Sequence, residues 1–158
     1  MMTDTSFLQE AIDLAKDNLA AKGRPFGAVV VRDGAIIARG VNRMDADKDP
    51  TAHAELLALR AAGAATGSTR LDGCTVYASG QPCPMCLAAM RLAGVTRVVF
   101  AYSNENGAPY GLSTAQVTQD LSVPLSQQSW AEITHLPPED SNDPVIYKTW
   151  AEQRGGRA

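Results

Sequence analysis

Cysteine is scarce in this chain, three residues in 158, and histidine scarcer still at two. Three thiols are too few for the disulfide framework of a small secreted domain. No apolar stretch approaches membrane-spanning length, and Met1 to Gln9 has neither a basic start nor an apolar run, so no secretory signal is expected. The expectation is a soluble, cytoplasmic protein in which thiols stay reduced and serve as metal ligands or catalytic groups. Excess positive charge is also lacking. A formal net charge of -3 provides little general attraction to a phosphate backbone, which argues against nucleic acid as the main partner. Internal repeats and low-complexity tracts are absent, and 45% hydrophobic with 20% charged residues is an ordinary globular composition for one domain over residues 1–158.

From Phe7 to Leu19 the apolar positions follow helical spacing. "GAVVVRDGAIIARG" holds two apolar runs joined by Asp33-Gly34, a strong hairpin signal. A helix is predicted from about Ala52 through an Ala/Leu-rich body. The strand "CTVYAS" follows, then a helix that opens on Pro84 and stops at Gly94, then the strand "TRVVFAY". Beyond about residue 103 the pattern weakens: Ser113 to Leu121 reads as a helix, Trp130 to Leu136 as a fifth strand, and Asp143 to Arg154 as a closing helix. Such alternation implies an α/β three-layer α/β/α sandwich with a mixed five-stranded sheet.

"SGQPCPMC" places Cys83 and Cys86 at the start of a predicted helix. Unpaired N–H groups and the positive dipole end there favour thiolates, the form that binds metal. A Cys-x-x-Cys redox pair is the competing reading, although no thioredoxin-like pattern surrounds it. "TAHAE" adds His53 at the start of a second helix. His53, Cys83 and Cys86 make a soft and borderline donor set suited to Zn2+, and three protein ligands leave one position open, as in a catalytic site. Glu55 is the neighbouring carboxylate able to carry a proton. Cys74 reads as a small buried residue at a strand start, with a closed structural zinc site as the alternative. His135 reads as an ordinary surface or core histidine.

His-x-Glu followed by Pro-Cys-x-x-Cys some thirty residues later resembles the cytidine deaminase-like superfamily of zinc deaminases, over Phe7 to about Tyr102. The resemblance implies zinc-dependent hydrolytic deamination. Glu55 takes a proton from water, passes it to a ring nitrogen and helps to protonate the departing ammonia. Within that superfamily, "RPFGAVVVRDGAIIARGVNR" and "DPTAHAE" are similar to bacterial guanine deaminases. That similarity assigns substrate contacts to Phe26, Asn42, Ala54, Tyr110 and Ser113, with guanine as the first substrate and a homodimer as the assembly. Cytosine, a pterin or a triazine-type base are alternatives. Bacterial tRNA adenosine deaminases share the same block but usually end in a basic helix, which "VIYKTWAEQRGGRA" only mildly resembles.

Two departures bear on the substrate. Guanine deaminases carry a Gly-Phe-Asp-Asp stretch where this chain has "PYGLSTAQ", so Ser113 and Thr114 stand about where two acids would. A hydroxyl cannot pair with two base N–H donors as a carboxylate can. Gln81 also replaces the glutamate that usually precedes Pro-Cys. Tyr110, Tyr147 and Trp150 are aromatics for closing the pocket or for plain packing.

Overall fold

The structure, a computed structural model, describes residues 2–155, in two compact units that divide between Val123 and Pro124. The first unit contains α1 (Asp4–Ala20), β1 (Gly27–Arg32), β2 (Ala35–Val41), α2 (Met44–Asp47), α3 (Ala54–Thr66), β3 (Cys74–Gly80), α4 (Pro84–Ala93), β4 (Arg97–Tyr102), α5 (Asn104–Gly107) and α6 (Ala115–Asp120). Thr3 caps α1 through a reciprocal exchange with Ser6, which satisfies donors that the first turn leaves unpaired. The hairpin forms where Asp33-Gly34 predicts it, with φ of 51° and 76° at those two residues. Two consecutive positive φ values match the twist of the flanking strands.

The sheet order is β2-β1-β3-β4. β1 runs antiparallel to β2 and β3, while β3 and β4 are parallel. The parallel pair needs a crossover, and α4 supplies it. Alternation along the strands divides the core in two. Ala28, Val30 and Val76 face Leu59 and Met90 of α3 and α4, whereas Val29, Val31 and Tyr77 face Phe7 of α1. The result is the expected three-layer sandwich around a mixed sheet. Across the α1 face, Tyr77 donates to Asp4 at 2.6 Å and Arg97 donates to the same carboxylate at 3.0 Å. The Arg97 guanidinium and the Tyr77 hydroxyl hold the Asp4 carboxyl down at about 2.

Four strands, not five, are present among the described residues. Trp130 to Leu136, predicted as a strand, has no regular structure. Its residues are exposed throughout, and Pro137 and Pro138 follow directly. A strand needs a partner ladder and a face to bury, and this segment has neither. The second unit carries α7 (Val145–Gln153), whose first N–H donates to Asp140 at 3.0 Å, and it contains no buried side chain among its described residues. No helix among the described residues is long and apolar enough to cross a membrane.

The helix α3 lies unusually close to β2. A Cβ on Gly40 would overlap the carbonyl oxygen of Ala54 and approach the Ala58 nitrogen to 2.5 Å. Both obstacles are backbone, so no side chain can rotate away. Gly40→Ala is therefore expected to cost about 1–3 kcal/mol in denaturant unfolding and to lower bound zinc in the folded fraction. Wild-type stability and zinc content in that variant would contradict this packing.

Candidate metal centre and active site

Loop chemistry sets the start of α3. Asp49 accepts from the Thr51 amide at 2.8 Å and from its hydroxyl at 2.7 Å, and Arg43 N–H donates to the Ala52 carbonyl at 2.9 Å. The chain then enters α3 with His53 as its N-cap in extended geometry. α4 begins in the same way, with Cys83 as N-cap and Pro84 at its first position. Proline is pre-organised for that position and leaves no helical N–H unpaired. Neither cap residue makes a side-chain capping bond, so both side chains remain available to each other.

They meet together with Cys86. The two Sγ atoms are 3.6 Å apart, and each lies 3.4 Å from His53 Nδ1. Zinc–sulfur bonds of about 2.3 Å and a zinc–nitrogen bond of about 2.05 Å in a tetrahedron require edges of about 3.8 Å and 3.6 Å. The three donors thus already stand close to three corners of a tetrahedron, and they are positioned to bind a metal ion. Two sulfurs and one imidazole nitrogen fit zinc. Cys74 is buried at the start of β3 and is not in this cluster, which leaves three protein donors and not four.

Protonation agrees with that arrangement. Cys83 is driven down to about 4, first by the hydrogen bond it receives from Cys86. Cys86 is pushed up by its bond to Cys83 and by burial. The bond with Cys83 also raises His53. The metal-free cluster therefore holds protons that a divalent cation replaces, and metal binding releases them. Glu55 is only 5% exposed, and burial raises its carboxyl above the ordinary range, since a desolvated carboxylate loses its hydration.

A cavity of about 160 Å³ opens beside these groups. Its lining includes Phe26, Asn42, His53, Ala54, Glu55, Cys83 and Ser113, all anticipated from sequence. Tyr110 is elsewhere: it lines an adjoining cavity of about 660 Å³, which shares Phe26, Gln81 and Leu112 with the first. Tyr147 and Trp150 are exposed on α7 of the second unit.

The smaller cavity also contains Arg24, Met44 and Gln81, which sequence reasoning did not assign to it. Nor did it find Asn18, whose amide donates to the carbonyls of Arg24 at 2.7 Å and Asn42 at 2.9 Å. Asn18 thereby ties together the two loops that carry one wall. No local motif marks a polar residue near the end of a helix as such a clamp. Only the reach of its side chain across 24 positions reveals it.

Comparison with known proteins agrees with the site. The family described as the cytidine and deoxycytidylate deaminase zinc-binding region matches residues 1–102. Guanine deaminase of Bacillus subtilis (strain 168) is 40% identical over 129 residues, 81% of this chain and 83% of that protein. The tRNA-specific adenosine deaminase of the same organism is 40% identical over 111 residues, 70% of this chain and 69% of that one. A solved structure of guanine deaminase from Bacillus subtilis superposes with a TM-score of 0.86 at 34% identity, covering 96% of this chain and 95% of the other.

The cluster makes a direct expectation about metal content. Purified protein should hold about one zinc per chain, and Cys83→Ser should lose most of it while Cys74→Ala keeps it, as elemental analysis would measure. Equal loss in both variants would mean that Cys74 belongs to the metal site. With this donor geometry and these matches, the chain belongs to the cytidine and deoxycytidylate deaminase zinc-binding family.

Proposed function

We propose that this zinc deaminase acts hydrolytically on a free nucleobase or similar aminated heterocycle and releases ammonia, with guanine as the first candidate. The observation that carries the reading is Glu55, a buried carboxyl lining the same small cavity as His53 and Cys83. Zinc, when bound, supplies the Lewis acidity that makes hydroxide available near neutral pH. Glu55 takes the proton from the attacking water on one carboxylate oxygen and delivers it to the adjacent ring nitrogen. It then protonates the leaving amino group, so that one residue serves as base and then as acid. Its raised affinity for protons, due to burial, suits the second task as well as the first.

Phe26 provides a flat apolar surface against the ring. Its edge packs on Gly80, where a Cβ would come within 3.1 Å of it. Asn42 provides an amide that can read a base edge, and Ala54, Ser113 and the ends of two helices complete the wall. The net charge of -3 favours a small substrate over tRNA, whereas the 40% identity to a tRNA-specific adenosine deaminase keeps that second reading in play. A homodimer belongs to the same proposal. Its support is the exposure of Trp130, Leu136, Ile146 and Tyr147 in the second unit, large apolar side chains that a second copy would cover.

Glu55→Gln should retain zinc and lose about 10²–10⁴-fold in turnover; full activity in that variant would sink the mechanism. Ammonia release from guanine, cytosine and pterins, set against inosine formation in an anticodon stem-loop, separates the two substrate classes. Light scattering should give twice the chain mass, and a monomeric mass would overturn the dimer.

A further inference from the structure

Several of the polar side chains lining the small cavity present donors to it, and their hydrogen bonds within the protein show why. Asn42 Oδ1 accepts from the Met44 amide at 3.1 Å, which fixes the orientation of the amide and leaves both of its N–H groups to donate. Gln81 Oε1 accepts from the Asn104 amide at 2.9 Å, leaving its N–H groups in the same way. Ser113 Oγ accepts from the Ala115 amide at 3.2 Å, which leaves its hydroxyl proton to donate. In each case a backbone N–H occupies the acceptor, so the orientation of the amide or hydroxyl is not arbitrary.

Arg24 adds a permanent cation to this wall. Asp45 engages its Nε at 3.3 Å, and no other hydrogen bond of the guanidinium forms among the described residues. Its side chain is 44% exposed, so its terminal donors can reach a ligand without a large desolvation penalty. The only carboxylate among the described lining residues is Glu55, already occupied in proton transfer. A base edge rich in N–H groups would therefore find few side-chain acceptors here, Thr114 among them because its hydroxyl donates to Asn104 Oδ1 at 3.4 Å, and each donor left unpaired would cost roughly 1–3 kcal/mol.

From this polarity we infer that the cavity selects aminated heterocycles whose edges away from the reacting amino carbon carry carbonyl oxygens or ionised ring nitrogens, with Arg24 as a specificity-determining residue that binds that acceptor edge. The inference rests on the deaminase reading of the site and narrows its substrate. It favours oxo-substituted, weakly acidic rings, which become anionic at mildly alkaline pH and are then attracted to the guanidinium. It disfavours polyamino rings of the same size.

The triazines test this on a constant ring, in which amino groups are exchanged one by one for oxygen. With zinc-loaded protein at mildly alkaline pH, calorimetry should detect cyanurate, the all-oxygen ring, and find melamine, the all-amino ring, much weaker. Arg24→Leu should weaken cyanurate about tenfold or more, raising KM for ammelide with kcat little changed. Asp45→Asn, which removes the ion pair and keeps the cation, should leave cyanurate affinity within about twofold. A merely structural role for Arg24 predicts equal damage from both variants. Ammonia release should fall in the order ammelide, ammeline, melamine. Melamine binding as well as cyanurate, an undetectable cyanurate signal, or an unaffected Arg24→Leu would each overturn the inference. Glu55→Gln separates the two levels: it should abolish ammonia release while retaining cyanurate binding. If it kept releasing ammonia, the deaminase mechanism would fail while the cyanurate and melamine comparison still judged the cavity.

Discussion

The approach of α3 to β2 is the constraint on which the site depends. Ala54, Ala58 and Ala62 recur every four residues, and all three are fully buried. Ala54 and Ala58 meet Gly40 backbone against backbone with almost no side chain between. A helix seated this closely has little freedom to tilt or slide, because packed interiors resist even small volume changes. His53 and Glu55 flank Ala54, the first residue of that contact. The backbone that carries the metal ligand and the proton carrier is thus set by this close packing, and their side chains then meet the cysteines of α4.

The second helix brings an electrostatic reason for the same arrangement. α3 and α4 both begin at the cluster, His53 and Cys83 each being an N-cap. Two positive dipole ends and several unpaired N–H groups lower the cost of gathering two thiolates and a carboxylate in one place. Burial opposes that gathering, and it wins at Glu55, whose carboxyl is raised. At Cys83 the hydrogen bond from Cys86 wins, and the thiol is lowered. The lowered Cys83 suits a metal ligand and the raised Glu55 suits a proton carrier, whereas Cys86, pushed up by its bond to Cys83, gives up its proton only when a metal replaces it.

The legible parts of this molecule are those whose physics is local. Asp33-Gly34 predicts a hairpin because two successive positive φ values are costly for most other residue pairs. Pro84 and Gly94 bound α4 because one lacks an N–H and the other accepts a left-handed conformation, φ 88° at Gly94. His53, Glu55, Cys83 and Cys86 are readable because metal chemistry restricts the residue types and helix starts restrict their spacing. Beyond residue 103 such restrictions fade. Trp130 to Leu136 reads as a strand from sequence, but β-forming residue types are only permission to pair, and no ladder partner meets this segment among the described residues.

The sequence by itself determined the donor chemistry, the helix starts that carry it and the alternating strands that form the sheet, since each is an interaction between residues close together in the chain. Tertiary structure alone decided how polar the cavity is. Arg24, Asn42, Gln81 and Ser113 come from four separate loops or element ends, and which of their atoms are left for a ligand depends on the backbone amides that engage the last three and on the Asp45 carboxylate that engages Arg24. Tyr110 illustrates the same limit, since it lines the adjoining cavity although it precedes Ser113 by three positions. Donor direction is settled by near neighbours at Asn42 and Ser113, whose partners Met44 and Ala115 lie two positions on, and by a distant one at Gln81, whose partner Asn104 lies 23 positions away; which of these groups share one cavity is decided by the fold alone.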